Sequence, residues 1–74
     1  MGYIITQSIR NLMASKIKHM RESRGLTQEQ VAEKAGIDPR YYPRIERGEI
    51  NITLDKIYKI VKALKIKSSD ILPF

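Results

Sequence analysis

Between Thr27 and Gly48 the chain carries two helical signals with only "ID" between them, which leaves room for a tight turn and nothing else. The first is "LTQEQVAEKAG". Thr27 is a good N-cap, and Gln30 three residues on completes a capping box, so the first turn has its free N–H groups satisfied locally. Val31, Ala32 and Ala35 fall on one face, and Gly36 stops the helix. A second helix leaving at a steep angle needs positive φ at Gly36, which glycine adopts without a Cβ penalty. The second signal is "DPRYYPRIERG": Asp38 suits the cap, Pro39 the first helical position, and Gly48 the end. Two short helices joined this way form a helix-turn-helix.

The rest of the chain supplies a support for that pair. Ile9, Leu12, Met13, Lys16, Ile17 and Met20 recur at helical spacing, with the Lys16 stem able to lie along the apolar stripe. This predicts a helix from about Ser8 to Ser23, with Arg24 in its last turn and Gly25 in the left-handed position after it. Thr53 caps a further helix whose Leu54, Ile57, Ile60, Val61 and Leu64 make one stripe. Ser68 opens a single helical turn, and Pro73 ends it. No alternating run reads as a strand. The expected fold is all-α, a compact domain of four to five helices spanning residues 1–74, with the helix-turn-helix at 27–48.

Composition narrows the chemistry. At 74 residues there is room for one small domain, and 14 basic against 8 acidic residues leave a net charge of +6, which favours polyanionic partners. With no cysteine and a lone histidine, His19, off the apolar stripe, neither a disulfide framework nor a thiolate metal site is available. No arrangement of acid, base and nucleophile supports catalysis. The longest apolar runs are too short for a membrane span or a secretory segment, so a cytoplasmic protein without membrane contact is expected.

In this order and spacing, "IKHMRESRGLTQEQVAEKAGIDPRYYPRIERGE" and "TLDKIYKIVKALKI" resemble the Cro/phage-repressor type of helix-turn-helix transcription factor, over about Ile9 to Leu72. The extended first helix and "RIERGEINITL" are similar to the controller proteins of restriction–modification systems, small dimers without an effector domain. Small phage-type repressors and antitoxin-like regulators share these features. The resemblance implies double-stranded DNA as partner, with no cofactor and no small-molecule effector. It places the base-reading positions on Pro39, Arg40, Tyr41 and Arg44. Arg40 and Arg44, four apart, share a face, and each can make the bidentate contact to guanine. Phosphate contacts are expected from Thr27, Gln28, Arg47, Asn51 and Lys56. The free N–H groups at the start of the helix after Thr27 add to them. Gln28 also buttresses the reading helix, and Glu46 pairs with Arg21, by the same resemblance. The lysines Lys56, Lys59 and Lys62 otherwise read as a solvated face. The apolar end, with Ile71, Leu72 and Phe74, reads as a homodimer interface or as a lid on the first and fourth helices. A two-fold dimer would require a near-palindromic operator with half-sites roughly 34–36 Å apart. Rival readings are an antitoxin-like protein-interaction module and a nonspecific DNA binder.

Two positions depart from the family pattern. Lys65 stands where a glycine often follows the fourth helix. Pro43 stands where a small polar residue, often serine, faces the DNA backbone. An interior proline costs about 3 kcal/mol or more and disfavours α geometry before it. Three arrangements are open: a kinked helix, a separate first turn with the regular helix restarting at Pro43, or a variant with damaged DNA binding. The intact "RIERG" favours a bent but present helix, in which Pro43→Ser would raise stability and DNA affinity together.

Overall fold

A computed structural model describes residues 6–73. Its elements are α1 (Gln7–Ser23), α2 (Gln28–Ala35), α3 (Tyr42–Glu46) and α4 (Leu54–Leu64), followed by one 3₁₀ turn at Ser68–Asp70. The described residues contain no strand, and none of their helices is long and apolar enough to cross a membrane.

Local capping sets most of the boundaries. Thr6 Oγ1 accepts from the Ile9 N–H at 3.2 Å, so α1 starts one residue earlier than the sequence predicts. At Thr27 both halves of the capping box form, at 3.1 and 2.8 Å. Thr53 Oγ1 accepts from the Lys56 N–H and starts α4. Gly36 takes φ +69° and turns the chain out of α2. At the end of α4 the left-handed position falls to Lys65, with φ +56°, where a Cβ makes that conformation unfavourable. Arg24 compensates from the end of α1. Its guanidinium donates to the Leu64 carbonyl at 3.0 Å and to that of Lys65 at 3.4 Å. This cation caps the negative end of α4.

The core joins Met13 and Ile17 of α1, Val31, Ala32 and Ala35 of α2, Tyr42 and Ile45 of α3, and Ile57, Ile60 and Leu64 of α4. Three expectations about packing are corrected. Leu12 and Leu54, assigned to apolar stripes, are exposed, Leu54 by 77%. Ala14 lies buried on α1, because that helix presents the face next to the one the larger residues suggested. Ile71 is fully buried within its own chain and so contributes no surface to a partner, which corrects its placement in a dimer interface. Leu72 is half-buried against the same core, and Phe74 lies outside the described residues.

The reading segment is also corrected. It is not one bent helix but the second of the three arrangements, a separate first turn with the regular helix restarting beside Pro43. Residues Asp38–Tyr42 form a single hydrogen-bonded turn, in which the Asp38 carbonyl accepts from Tyr41 at 2.9 Å and Tyr42 at 3.0 Å. Asp38 Oδ1 caps this turn through the Arg40 N–H at 2.8 Å, rather than capping α3. The regular helix restarts at Tyr42, so Pro43 is its second residue. At that position a backbone N–H has no helical partner, and the missing donor of proline costs nothing.

Candidate nucleic-acid interface

The turn 38–41 and the start of α3 hold the predicted reading residues on one exposed edge. Arg40 is the most open, its side chain 92% exposed, and donates to Asp38 through two long bonds, Nε to Oδ1 at 3.4 Å and Nη2 to Oδ2 at 3.3 Å. Pro39 is exposed beside it. Arg44 is half-exposed and lies 3.6 Å from Glu49, which also pairs with Arg47. The Arg47 and Arg44 guanidiniums hold the Glu49 carboxyl below the usual carboxylate range. Such exposed pairs are worth little, so a phosphate or a base can displace Glu49 at small expense. Tyr41 is half-buried, and the Lys56 ammonium lies over its ring, 5.1 Å from the centroid. Lys56 is therefore tied to a residue the resemblance assigns to base reading, and orients its ring.

What fixes this edge in space is Glu46. Its side chain is 2% exposed, and four donors converge on its two oxygens. Arg21 donates through Nε at 2.7 Å and Nη2 at 3.0 Å, Gln28 through Nε2 at 3.0 Å, and the Tyr42 hydroxyl at 2.6 Å. Burial pushes the Glu46 carboxyl up, but these hydrogen bonds outweigh it and hold it below its ordinary value. Burial together with the bond to Glu46 pushes the Tyr42 phenol well above its ordinary value. Arg21 Nη1 also donates to the Leu26 carbonyl at 2.8 Å, fixing the connection that leads into α2. One carboxylate thus ties α1, α2 and α3 together. The predicted Arg21–Glu46 pair and the buttressing amide of Gln28 are both in place, and with that amide turned inward Gln28 offers less to a phosphate. Thr27 remains exposed at the start of α2.

Two features escape the sequence patterns. The Tyr42–Glu46 bond spans four residues, and that spacing was its one available signal. A second network at the far end of α3 gave none. There Gln7 Nε2 donates to the Gly48 carbonyl at 2.9 Å, and Arg10 donates to Asn51 Oδ1 at 2.8 Å, in each case across 41 positions of sequence.

A short capped helix, a left-handed glycine turn and a second short helix led in by a turn that exposes Arg40 define a helix-turn-helix DNA-binding domain. A family model described as helix-turn-helix matches residues 17–71, and the chain belongs to that family of transcription regulators. It is similar to the control protein C.BamHI of Bacillus amyloliquefaciens, 38% identical over 71 residues, covering 95% of this chain and 88% of that one. The control protein C.SmaI of Serratia marcescens is 34% identical over 61 residues, covering 82% of this chain and 73% of that one. Among solved structures, the restriction-modification controller protein C.AhdI from Aeromonas hydrophila superimposes with a TM-score of 0.85 at 29% identity, covering 88% of this chain and 98% of that one.

Proposed function

We propose that the protein is a homodimeric regulator that binds a near-palindromic DNA operator sequence-specifically, as a controller of a restriction–modification system. The observation that carries this reading is Arg40, exposed at the leading edge of a segment that Glu46 holds rigid. An exposed guanidinium held only by a weak surface pair with Asp38 suits bidentate contact with guanine O6 and N7, worth roughly 1–3 kcal/mol of discrimination. Arg44 lies four residues on and supplies a second such contact, while Tyr41 packs against a thymine methyl or reaches a phosphate. Thr27, Arg47 and Asn51 position the protein on the backbone, where contacts set register without reading sequence. The similarity to control proteins over nearly the whole chain supports the narrower role.

With Ile71 buried in its own core, α4 becomes the favoured dimer surface. Leu54 and Tyr58, 77% and 60% exposed, stand four residues apart on one face of α4. Leu72 adds apolar surface near the chain end. Selection from a random duplex library at physiological salt tests the reading: an enriched palindrome is expected. Arg40→Ala and Arg44→Ala should each relax preference at particular base pairs, and Leu54→Asp should yield monomers in sedimentation. Flat enrichment with steep salt dependence would replace this reading with nonspecific binding. Loss of a protein partner, with DNA preference unchanged in the arginine variants, would replace it with an interaction module.

A further inference from the structure

The arginines of the described chain differ in what answers their charge. Arg21 lies on Glu46, Arg40 meets Asp38, and Arg44 and Arg47 share Glu49. Arg24 caps the carbonyl end of α4. Arg10 has none of these. Its guanidinium is held by neutral amides, donating to Asn51 Oδ1 at 2.8 Å and to Gln7 Oε1 at 2.5 Å, and no carboxylate of the described residues pairs with it. It also stands near the start of α1, where the helix dipole disfavours a cation. Its Nε–H is buried without a hydrogen-bond partner. Two amide oxygens therefore order a long side chain whose charge no carboxylate answers and which the helix dipole disfavours. These contacts use the donors of the guanidinium but leave its net charge unanswered within the described chain.

The location supplies the answer. Asn51 lies in the segment leading from α3 to α4, and Gln7 also donates to the Gly48 carbonyl at the end of the reading element. The first turn of α1 is thereby laced to the part of the chain that follows α3. We propose that Arg10 is a phosphate-contact residue for duplex DNA, set outside the helix-turn-helix and aimed by Gln7 and Asn51. The proposal rests on the DNA-binding reading above. It extends each half-site footprint by one backbone contact that carries no base preference.

The test compares the wild type, Arg10→Gln and Arg10→Lys on a selected duplex, with affinity followed by fluorescence anisotropy as salt varies from about 50 to 200 mM. Arg10→Gln should lower the slope of log affinity against log salt by roughly one for each bound chain. The affinity deficit should then grow about 3- to 4-fold per chain between 200 and 50 mM. Arg10→Lys should keep the wild-type slope, and all three proteins should enrich the same base pattern. An unchanged slope in Arg10→Gln overturns the proposal, as does an equal loss of slope in Arg10→Lys, which would make the side chain a tether between α1 and Asn51. A Gln variant unfolded at the assay temperature overturns it for the same reason. If the wild type itself binds no duplex at low salt, the DNA-binding reading fails as a whole; if the wild type binds and only the slope is unmoved, the role of Arg10 alone fails.

Discussion

Replacing Glu46 by glutamine is the sharpest test of how the reading edge is held. The substitution keeps shape and removes charge. Arg21 Nε and the Tyr42 hydroxyl both donate to the same Glu46 oxygen, and Arg21 Nη2 and Gln28 both donate to the other. A glutamine amide puts an NH₂ against one of these donor pairs whichever way it turns, and Arg21 is left buried without its counter-charge. Removing one partner of a buried pair costs about 3–5 kcal/mol. Arg21 keeps a little exposure, at 11% of its side chain, so the low end applies, about 3 kcal/mol. For a domain of this size each kcal/mol shifts Tm by about 4–8 °C, which gives a drop of roughly 12–24 °C. Thermal denaturation followed by circular dichroism at pH 7 reads this directly. The double variant with Arg21→Met should lose less than the sum of its single changes, because each single change strands a group of the same pair. The acid limb gives an independent check. A carboxyl whose folded pKa is lowered contributes stability that is present above its unfolded value and lost as pH falls through its folded one. The unfolded value for Glu46 is near 4.5, so the gap between wild type and Glu46→Gln should narrow below that pH. Asp38 and Glu49, also held low, titrate in both proteins and cancel in the comparison. A Tm within about 4 °C of wild type, less than 1 kcal/mol, would refute the account of Glu46 as the clamp on α3.

Three further outcomes follow from the backbone. Pro43→Ala should lower stability by about 0.4–1 kcal/mol, since proline at the second position of α3 sacrifices no hydrogen bond and restricts the unfolded chain; a gain in urea denaturation would restore the strained-helix reading. Lys65→Gly should stabilise by about 1 kcal/mol, as it relieves the described chain's one non-glycine residue at positive φ, provided Arg24 still reaches the Leu64 carbonyl; an unchanged melting temperature would count against that strain. Gly48→Ala should destabilise by about 1–2 kcal/mol, because alanine is strained at φ +70°, and its Cβ, 2.5 Å from Asn11 Oδ1, would also turn that side chain aside; equilibrium denaturation should show it.

The limits of local reasoning show at particular residues. Thr27, Gln30, Gly36 and Thr53 were legible because a cap or a left-handed glycine is satisfied within three or four positions, and the sequence holds both partners side by side. Arg21, Gln28 and Glu46 were legible only through resemblance, since 25 and 18 positions separate the donors from the carboxylate. Pro43 left three arrangements open in the sequence, because its effect depends on where the helix starts. The Asp38 carbonyl, by closing a separate turn, moved that start to Tyr42.

By itself, then, the sequence determined an all-helical chain, the two capped helices with a glycine turn between them, a basic surface, and the arginines at the leading edge. Each of these follows from side-chain type and spacing, which act over one or two turns of chain. Tertiary structure alone decided the rest. It buried Ile71 and exposed Leu54, since which part of an apolar stripe is covered depends on the angle at which a neighbour packs. It gathered four donors on Glu46, and it set Arg10 on Asn51 across 41 positions. Those contacts exist only after the helices have docked, because no local energy term rewards them beforehand.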